Sequence, residues 1–413
     1  MKIACKSLNL DIKAPPSKSV GHRELIVNFI LGARGSYLDD GPDDNDDIRA
    51  TKSCLRTLSD KDSETLILNC NESGSTLRFM IPVALAVKSS SNKTLIFKTR
   101  GRLIDRPVKE IADCLEAFGV TITKNHDENE IVVRGDITPG RYVIDGSVSS
   151  QYISGLLMAL STFGKESVVE VTGGIASVHY IELTTDVLKK YGVEIVREGD
   201  VYKVPAKTQT AVPDGSFEVE GDWSNGAFLL CLGSLIHGGS VKVTGLKTDS
   251  VQGDTAILKF MRFAGISFVT EGDAVFVMDS TRNGIGEKIE MECGDIPDIV
   301  PYMAVTGAFR AKKTILKGIK RLRIKESDRA KAITDMLTAV GGNVTLEEDK
   351  ITIEYIDKVS DRISLTSSND HRMAMAAVLC AAATGKEIEI DNIDCLDKSF
   401  PEFRKVLLKE MTV

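Results

Sequence analysis

The chain repeats itself at a length that few architectures can use. Four segments end a helix-like amphipathic pattern in glycine and pass directly into an alternating run: Ala117-Phe118-Gly119-Val120, Lys190-Tyr191-Gly192-Val193, Phe263-Ala264-Gly265-Ile266 and Ala339-Val340-Gly341-Gly342. Glycine just past a helix suits the left-handed conformation that terminates it. The polar tripeptides Glu198-Gly199-Asp200, Glu271-Gly272-Asp273 and Glu347-Glu348-Asp349 then read as hairpin turns between short strands. The copies stand roughly 73–76 residues apart, well beyond the ~20–50 residues of a stacked solenoid repeat. Each unit is therefore a small subdomain.

A second element alternates with the first. Residues 222–246, 298–319 and 369–393 each give a polar cap, an apolar helix of about three turns, a Gly or Lys turn and an alternating strand. The first half echoes this at residues 16–35, 73–97 and 149–171. The combined order is a βαβαββ unit, and six fit into 413 residues, three per half. The expectation is a mixed α/β chain of two domains, which is also the natural division at this length.

Charge narrows the function. There are 52 Lys plus Arg against 59 Asp plus Glu, a formal net charge of −7, so a general nucleic-acid binder is excluded for want of a basic surface. Any anion must be held by a local gathering of cations. Helix N-termini are ready anion sites, and several helix starts here carry cations, the wrong sign for a bare helix dipole. Lys18 and Arg23 follow the first cap, Arg78 the second and Arg372 the sixth, and Arg329 comes directly after Lys325-Glu326-Ser327-Asp328. A cation so placed costs a few tenths to ~1 kcal/mol unless an anionic ligand intervenes. Any one of them reads equally well as a solvated surface charge; five at equivalent repeat positions do not.

The run Lys317-Gly318-Ile319-Lys320-Arg321-Leu322-Arg323-Ile324-Lys325 alone would suit an edge strand, but Glu326 and Arg329 follow it. A carboxylate among cations at a helix start fits a general acid or base. Pro107 forces Arg106 toward extended backbone, so that it projects from its loop. Ser149-Ser150-Gln151 suits either a phosphate oxygen or plain capping. Nucleotide-binding glycine loops, a zinc-protease helix and a serine-hydrolase elbow are all missing. Eight dispersed cysteines read as reduced thiols, and five scattered histidines argue against a His-ligated metal, His371 included. Residues 153–163 and 373–384 fall short of the ~18–20 apolar residues that span a bilayer. The start, Met1-Lys2-Ile3-Ala4-Cys5-Lys6, has no apolar core of a signal peptide.

In order along the chain, Pro16-Ser17-Lys18-Ser19 with Arg23, Gly74-Ser75-Thr76-Leu77-Arg78, Arg106-Pro107, Ser149-Ser150-Gln151, Ile296-Pro297-Asp298, Lys325-Glu326-Ser327-Asp328-Arg329, Asp370-His371-Arg372 and Lys398-Ser399-Phe400-Pro401 together resemble the enolpyruvyl transferases. Among these the set is most similar to the 5-enolpyruvylshikimate-3-phosphate synthase family, over residues 14 to 401. The resemblance implies a two-domain inverse α/β barrel, three βαβαββ repeats per domain, closing over its substrates. Residues 14–220 would form one lobe, mainly on the shikimate 3-phosphate side. Residues 1–13 plus 221–413 would form the other, with the catalytic carboxylates and the phosphoenolpyruvate cations.

The implied reaction moves the enolpyruvyl group of phosphoenolpyruvate to the 5-hydroxyl of shikimate 3-phosphate and releases phosphate, a step of chorismate and aromatic amino acid biosynthesis. By the same resemblance Lys18, Ser19, Arg23, Ser149, Ser150, Gln151, Ser177, Tyr180, Asp298 and Lys325 would hold shikimate 3-phosphate. Lys18, Gly74, Arg106, Gln151, Arg329, Arg372 and Lys398 would hold phosphoenolpyruvate. Asp298 would orient or deprotonate the hydroxyl, and Glu326 would handle the proton at the methylene. Lys18 or Lys325 would assist at the departing phosphate. No cofactor or metal is implied, and the expected protein is a cytoplasmic monomer acting on small molecules, with no nucleic-acid or membrane partner.

Two departures stand out: Arg321 where the family often has Asn, and Ser73 where many members have Ala. The sister enzyme acting on UDP-N-acetylglucosamine usually has Lys-Asn in place of Lys18-Ser19 and a cysteine in the loop before Arg-Pro, whereas residues 101–105 contain none. A non-catalytic phosphate- or nucleic-acid-binding protein on the same repeat would not need Asp298 and Glu326.

Overall fold

A computed structural model describes residues 1–4, 8–41, 44–60, 62–88, 93–207, 212–280 and 284–411. The chain forms two compact units, Lys18–Val219 and Met1–Ser17 with Glu220–Val413. Each has its own apolar core.

The Lys18–Val219 unit contains two complete βαβαββ repeats. In the first, strand Thr65–Asn71, helix Gly74–Val87 and parallel strand Thr94–Thr99 are followed by helix Lys109–Glu116 and an antiparallel hairpin of Thr121–Asn125 and Glu130–Arg134. The last strand pairs back onto Thr94–Thr99, giving the spatial order first, second, fourth, third. The second repeat uses Arg141–Asp145, helix Ser150–Leu160, Ser167–Thr172, helix His179–Lys190 and the hairpin Val196–Glu198 with Val201–Val204, in the same order. The third differs from expectation. Among the described residues it has its two helices, Lys18–Ile30 and Asp46–Leu58, and no named strand.

The other unit opens with strand Asn9–Lys13, parallel to Ser240–Thr244. Its first repeat continues through helix Trp223–Leu235, helix Ile257–Phe263 and the hairpin Phe268–Glu271 with Ala274–Met278. The Lys18–Val219 unit is thus inserted between the first strand and first helix of this repeat. The second repeat is complete: Gly286–Glu292, helix Val300–Arg310, Ala311–Lys317, helix Arg329–Val340, then Val344–Leu346 with Lys350–Glu354. In the third, Ile363–Leu365 and Ile388–Ile390 flank helix His371–Thr384, and the N-terminal Lys2–Ile3 supplies the antiparallel neighbour.

Burial explains the repeat. All thirteen residues of Trp223–Leu235 are buried, and nearly all of Ser150–Leu160 and His371–Thr384. A helix apolar all round belongs inside a core. Close packing of two such helices is set by Gly155, where a Cβ would stand 2.8 Å from Pro82 Cγ and 3.0 Å from the Arg78 carbonyl oxygen. The four repeat glycines end their helices with φ of 75°, 81°, 65° and 115° at Gly119, Gly192, Gly265 and Gly341.

The two crossing segments are fastened to the Glu220–Val413 side by Gln252. Its carboxamide oxygen accepts from Ser17 Oγ at 3.0 Å and the Trp223 N–H at 3.1 Å, and its Nε2 donates to Glu220 Oε1 at 2.8 Å and the Gly221 carbonyl at 2.9 Å. The Ser17 N–H also donates to the Glu220 carbonyl at 2.8 Å, and the Asp222 N–H to that of Pro15 at 2.8 Å. No helix among the described residues is long and apolar enough to cross a membrane. Seven cysteines are free thiols, six of them buried; Cys5 lies outside the described residues.

Candidate active site

In the Lys18–Val219 unit the expected residues lie at the starts of four helices, Lys18–Ile30, Gly74–Val87, Ser150–Leu160 and His179–Lys190, with Arg106 in a loop. Lys18, the first residue of Lys18–Ile30, places Nζ 2.9 Å from Asp47 Oδ2. Asp47 opens the helix Asp46–Leu58, capped by Asn45, and its carbonyl accepts from Thr76 Oγ1 at 3.3 Å. Thr76 ties this to the helix Gly74–Val87, whose cap Ser73 receives the Thr76 N–H at 3.2 Å. A buried chain of hydroxyls continues to His22, whose Nδ1 lies 2.8 Å from Thr51 Oγ1, itself 2.7 Å from Thr76 Oγ1. Burial, helped by Lys18 and Arg23 and opposed by Asp47, pushes His22 down to about 3, so its ring is neutral.

Arg23 is 1% exposed. Its guanidinium donates to Thr184 Oγ1 at 2.7 Å, the Ser19 carbonyl at 2.6 Å, the Tyr180 carbonyl at 2.6 Å and Ser154 Oγ at 3.3 Å. Every one of these acceptors is neutral. Burial pushes it down to about 9, with only the Tyr180 hydroxyl pulling the other way. Ser177, fully buried and at φ 56°, holds a left-handed backbone that non-glycine residues adopt at a cost of about 1 kcal/mol or more.

Arg78 and Arg106 flank Gly74. A Cβ there would collide with Arg106 Nη1 and stand 3.3 Å from Arg78 Nη1, so glycine is what lets the two guanidinium groups approach the helix start. Arg106 is extended, φ −65° and ψ 145°, as the following proline requires. Gln151 accepts from Arg78 Nη1 at 2.8 Å and donates to Ser75 Oγ at 2.8 Å. Ser149 caps the helix Ser150–Leu160, accepting the Gln151 N–H at 3.3 Å, and Ser150 is buried.

The Glu220–Val413 side is built differently. Arg329, first residue of its helix and 1% exposed, donates Nη1 to Asp298 Oδ1 at 2.7 Å, Nη2 to Glu326 Oε2 at 2.9 Å and Nε to Asp370 Oδ2 at 2.8 Å. Those three carboxylates outweigh burial and raise it well above its usual value. Asp298 was expected to cap the helix Val300–Arg310. Ile299 occupies the cap position instead, because the carboxylate is drawn to Arg329 and to Lys325 Nζ at 3.5 Å. Burial alone would push Asp298 up, yet Lys325, Arg329 and Arg372 hold it well below the carboxylate range. Burial pushes Lys325 down to about 8 against the pull of Asp298, with Arg329 and Arg321 adding to the fall. Arg321 donates to the Gly294 carbonyl at 3.3 Å.

Asp370 is fully buried, caps the helix His371–Thr384 through the Arg372 N–H at 2.9 Å and accepts from Ser327 Oγ at 3.0 Å. The acceptors at Arg372 Nη1 are neutral: Tyr302 OH at 3.1 Å and Asn225 Oδ1 at 3.3 Å. Lys398 is buried in the turn before Pro401–Glu410. Asp47, Asn225 and Tyr302 were not singled out from sequence. The acid-rich stretch at residues 44–47 was the one available signal, and nothing local marks the other two.

Buried apolar helices set in βαβαββ repeats, with cations at helix starts and carboxylates beside them, are the arrangement that the resemblance to enolpyruvyl transferases implies. Solved structures agree on the fold: EPSP synthase from Acinetobacter baumannii superposes with TM-score 0.74 at 20% identity, covering 99% of this chain and 98% of that one. The enolpyruvyl transferase NikO from Streptomyces tendae gives 0.68 at 14%, covering 99% and 96%. The family model for EPSP synthase (3-phosphoshikimate 1-carboxyvinyltransferase) matches residues 4–407, and the chain belongs to that family. Curated relatives of that description include those of Clostridium novyi, 33% identical over 98% of this chain and 96% of the relative, and Clostridioides difficile, 30% identical over the same shares.

Proposed function

We propose a division of labour between the two units for this family's reaction, in which the enolpyruvyl group of phosphoenolpyruvate passes to the 5-hydroxyl of shikimate 3-phosphate and phosphate leaves. The chain carries out that transfer in the shikimate pathway, toward aromatic amino acids. The Lys18–Val219 unit supplies anion binding. Arg23, Ser19, Ser149, Ser150, Gln151, Ser177 and Tyr180 take shikimate 3-phosphate, while Arg106 and the Gly74 backbone take phosphoenolpyruvate, with Lys18 serving both. The observation that carries this reading is Arg23, a buried cation whose acceptors are all neutral. A buried charge without a counter-charge is costly, and a bound phosphate or carboxylate supplies one.

The other unit supplies proton transfer. Asp298, beside Lys325, Arg329 and Arg372, orients the 5-hydroxyl and takes its proton as the oxygen bonds to phosphoenolpyruvate; that proton leaves with the departing phosphate. Glu326 delivers a proton to the methylene carbon during addition and takes one back as phosphate departs, with Lys18 or Lys325 at the leaving oxygen. Arg372 and Lys398 receive phosphoenolpyruvate, and Arg329 adds its charge while its N–H groups hold the carboxylates. Placement and charge stabilisation dominate such an addition–elimination.

The same reading has the protein working as a monomer in the cytoplasm on small molecules alone, which sedimentation of the pure protein tests for the first part. Phosphate release from phosphoenolpyruvate is the test of function. Release is expected with shikimate 3-phosphate and not with UDP-N-acetylglucosamine; the reverse pattern would overturn the assignment.

A further inference from the structure

Arg372 and the Lys398-Ser399 turn belong to different elements, and one side chain reaches both. Asn225, the third residue of the helix Trp223–Leu235, is 1% exposed. Asp222 Oδ1 accepts its N–H at 2.8 Å and fixes its backbone. Its carboxamide oxygen accepts from Arg372 Nη1 at 3.3 Å and from Ser399 Oγ at 3.3 Å, and its Nδ2 faces the same hydroxyl at 3.3 Å. Ser399 follows Lys398 directly.

The residue type matters. A carboxylate at this position would pair with Arg372 and cancel the charge that an anion needs. An apolar side chain would leave Nη1 to Tyr302 alone. A neutral amide holds the guanidinium without consuming its charge. Among the described residues Arg372 Nε is buried with no hydrogen-bond partner, an unmet donor on a side chain 2% exposed, as expected of a group that a ligand completes.

We infer that Asn225 is a positioning residue for phosphoenolpyruvate, joining Arg372 to the Lys398-Ser399 turn so that the two cations face one ligand. This rests on the assignment of Arg372 and Lys398 to phosphoenolpyruvate made above.

The test is steady-state kinetics of the full chain with each substrate varied in turn. Asn225→Ala should raise the KM for phosphoenolpyruvate about tenfold or more, the scale of a lost hydrogen bond to a charged group. The KM for shikimate 3-phosphate should stay within about twofold, and kcat should fall less than KM rises. Asn225→Asp keeps the oxygen and adds a charge, so its KM for phosphoenolpyruvate should rise at least as far. Ser399→Ala cuts only the branch to Lys398 and should raise it about threefold. The single tryptophan, Trp223, is fully buried two residues away, and unshifted emission reports an intact fold. If Asn225→Ala unfolds, Asn225→Asp and Ser399→Ala decide. Equal rises for both substrates, or no rise in any variant, would overturn the inference. Arg372→Ala separates the two levels: an unchanged KM for phosphoenolpyruvate there defeats the underlying assignment, whereas a rise there with none in the Asn225 variants defeats this inference alone.

Discussion

Arg23 and Arg329 are both 1% exposed, one in each unit, and their surroundings are opposite. Arg329 is held by three carboxylates, Asp298, Glu326 and Asp370. Arg23 is held by two hydroxyls and two carbonyls. In the proposed division of labour the first is a counter-ion for acids that do proton work, and the second is a socket for a substrate's negative charge. Two arginines that look alike in the sequence differ in what each already holds: carboxylates around Arg329, neutral acceptors around Arg23.

The largest effects break the chemistry on either side of this contrast. Lys18→Ala, Arg106→Ala and Glu326→Ala should each lower turnover at least ~100-fold, the scale of a lost acid–base or charge-stabilising group, in the phosphate-release assay. Near-normal turnover in Glu326→Ala would remove that residue from the mechanism. Next comes stability. Arg329→Leu strands three carboxylates and should cost about 3–5 kcal/mol in denaturant unfolding. Arg23→Leu removes a buried charge that no carboxylate balances and should change stability by no more than about 1 kcal/mol.

A smaller effect comes from pH. Burial pushes Lys325 down to about 8, so kcat/KM should decline above that pH, and Lys325→Arg should carry the decline to higher pH. A last effect concerns Asp254, buried in the Glu220–Val413 unit and bonded by Ser224 Oγ. Burial first, then the charges of Asp298 and Asp222, push it up to about 7, against Ser224 and Arg372. Its folded value exceeds the unfolded one of about 3.9, so the folded state binds more protons between those values. The stability it contributes is full below about pH 4 and lost as pH rises through 7. Asp254→Asn should therefore gain in Tm relative to the parent between pH 5 and pH 8.

Much of this fold was legible because its signals are local. Gly119, Gly192, Gly265 and Gly341 all take the left-handed backbone their positions suggested, and Arg106 is extended before Pro107. What stayed hidden depends on partners far along the chain. Arg329 reads as a free cation until the fold brings Asp298 and Asp370 to it. Asp298 reads as a cap until the same arginine claims its carboxylate. Asn225 and Tyr302 carry no charge and no motif, and only packing brings them to Arg372. The third repeat of the Lys18–Val219 unit kept its helices without a described strand, since a cap-and-helix pattern does not by itself secure a pairing edge.

Calorimetric titration of shikimate 3-phosphate into the parent protein and Arg23→Leu addresses the contrast most directly. Affinity at least ~100-fold weaker in a variant that unfolds at the parent's midpoint is the predicted result. Unchanged affinity, or a variant that unfolds as readily as Arg329→Leu, would mean that Arg23 braces the fold and leaves the substrate's charge to other groups.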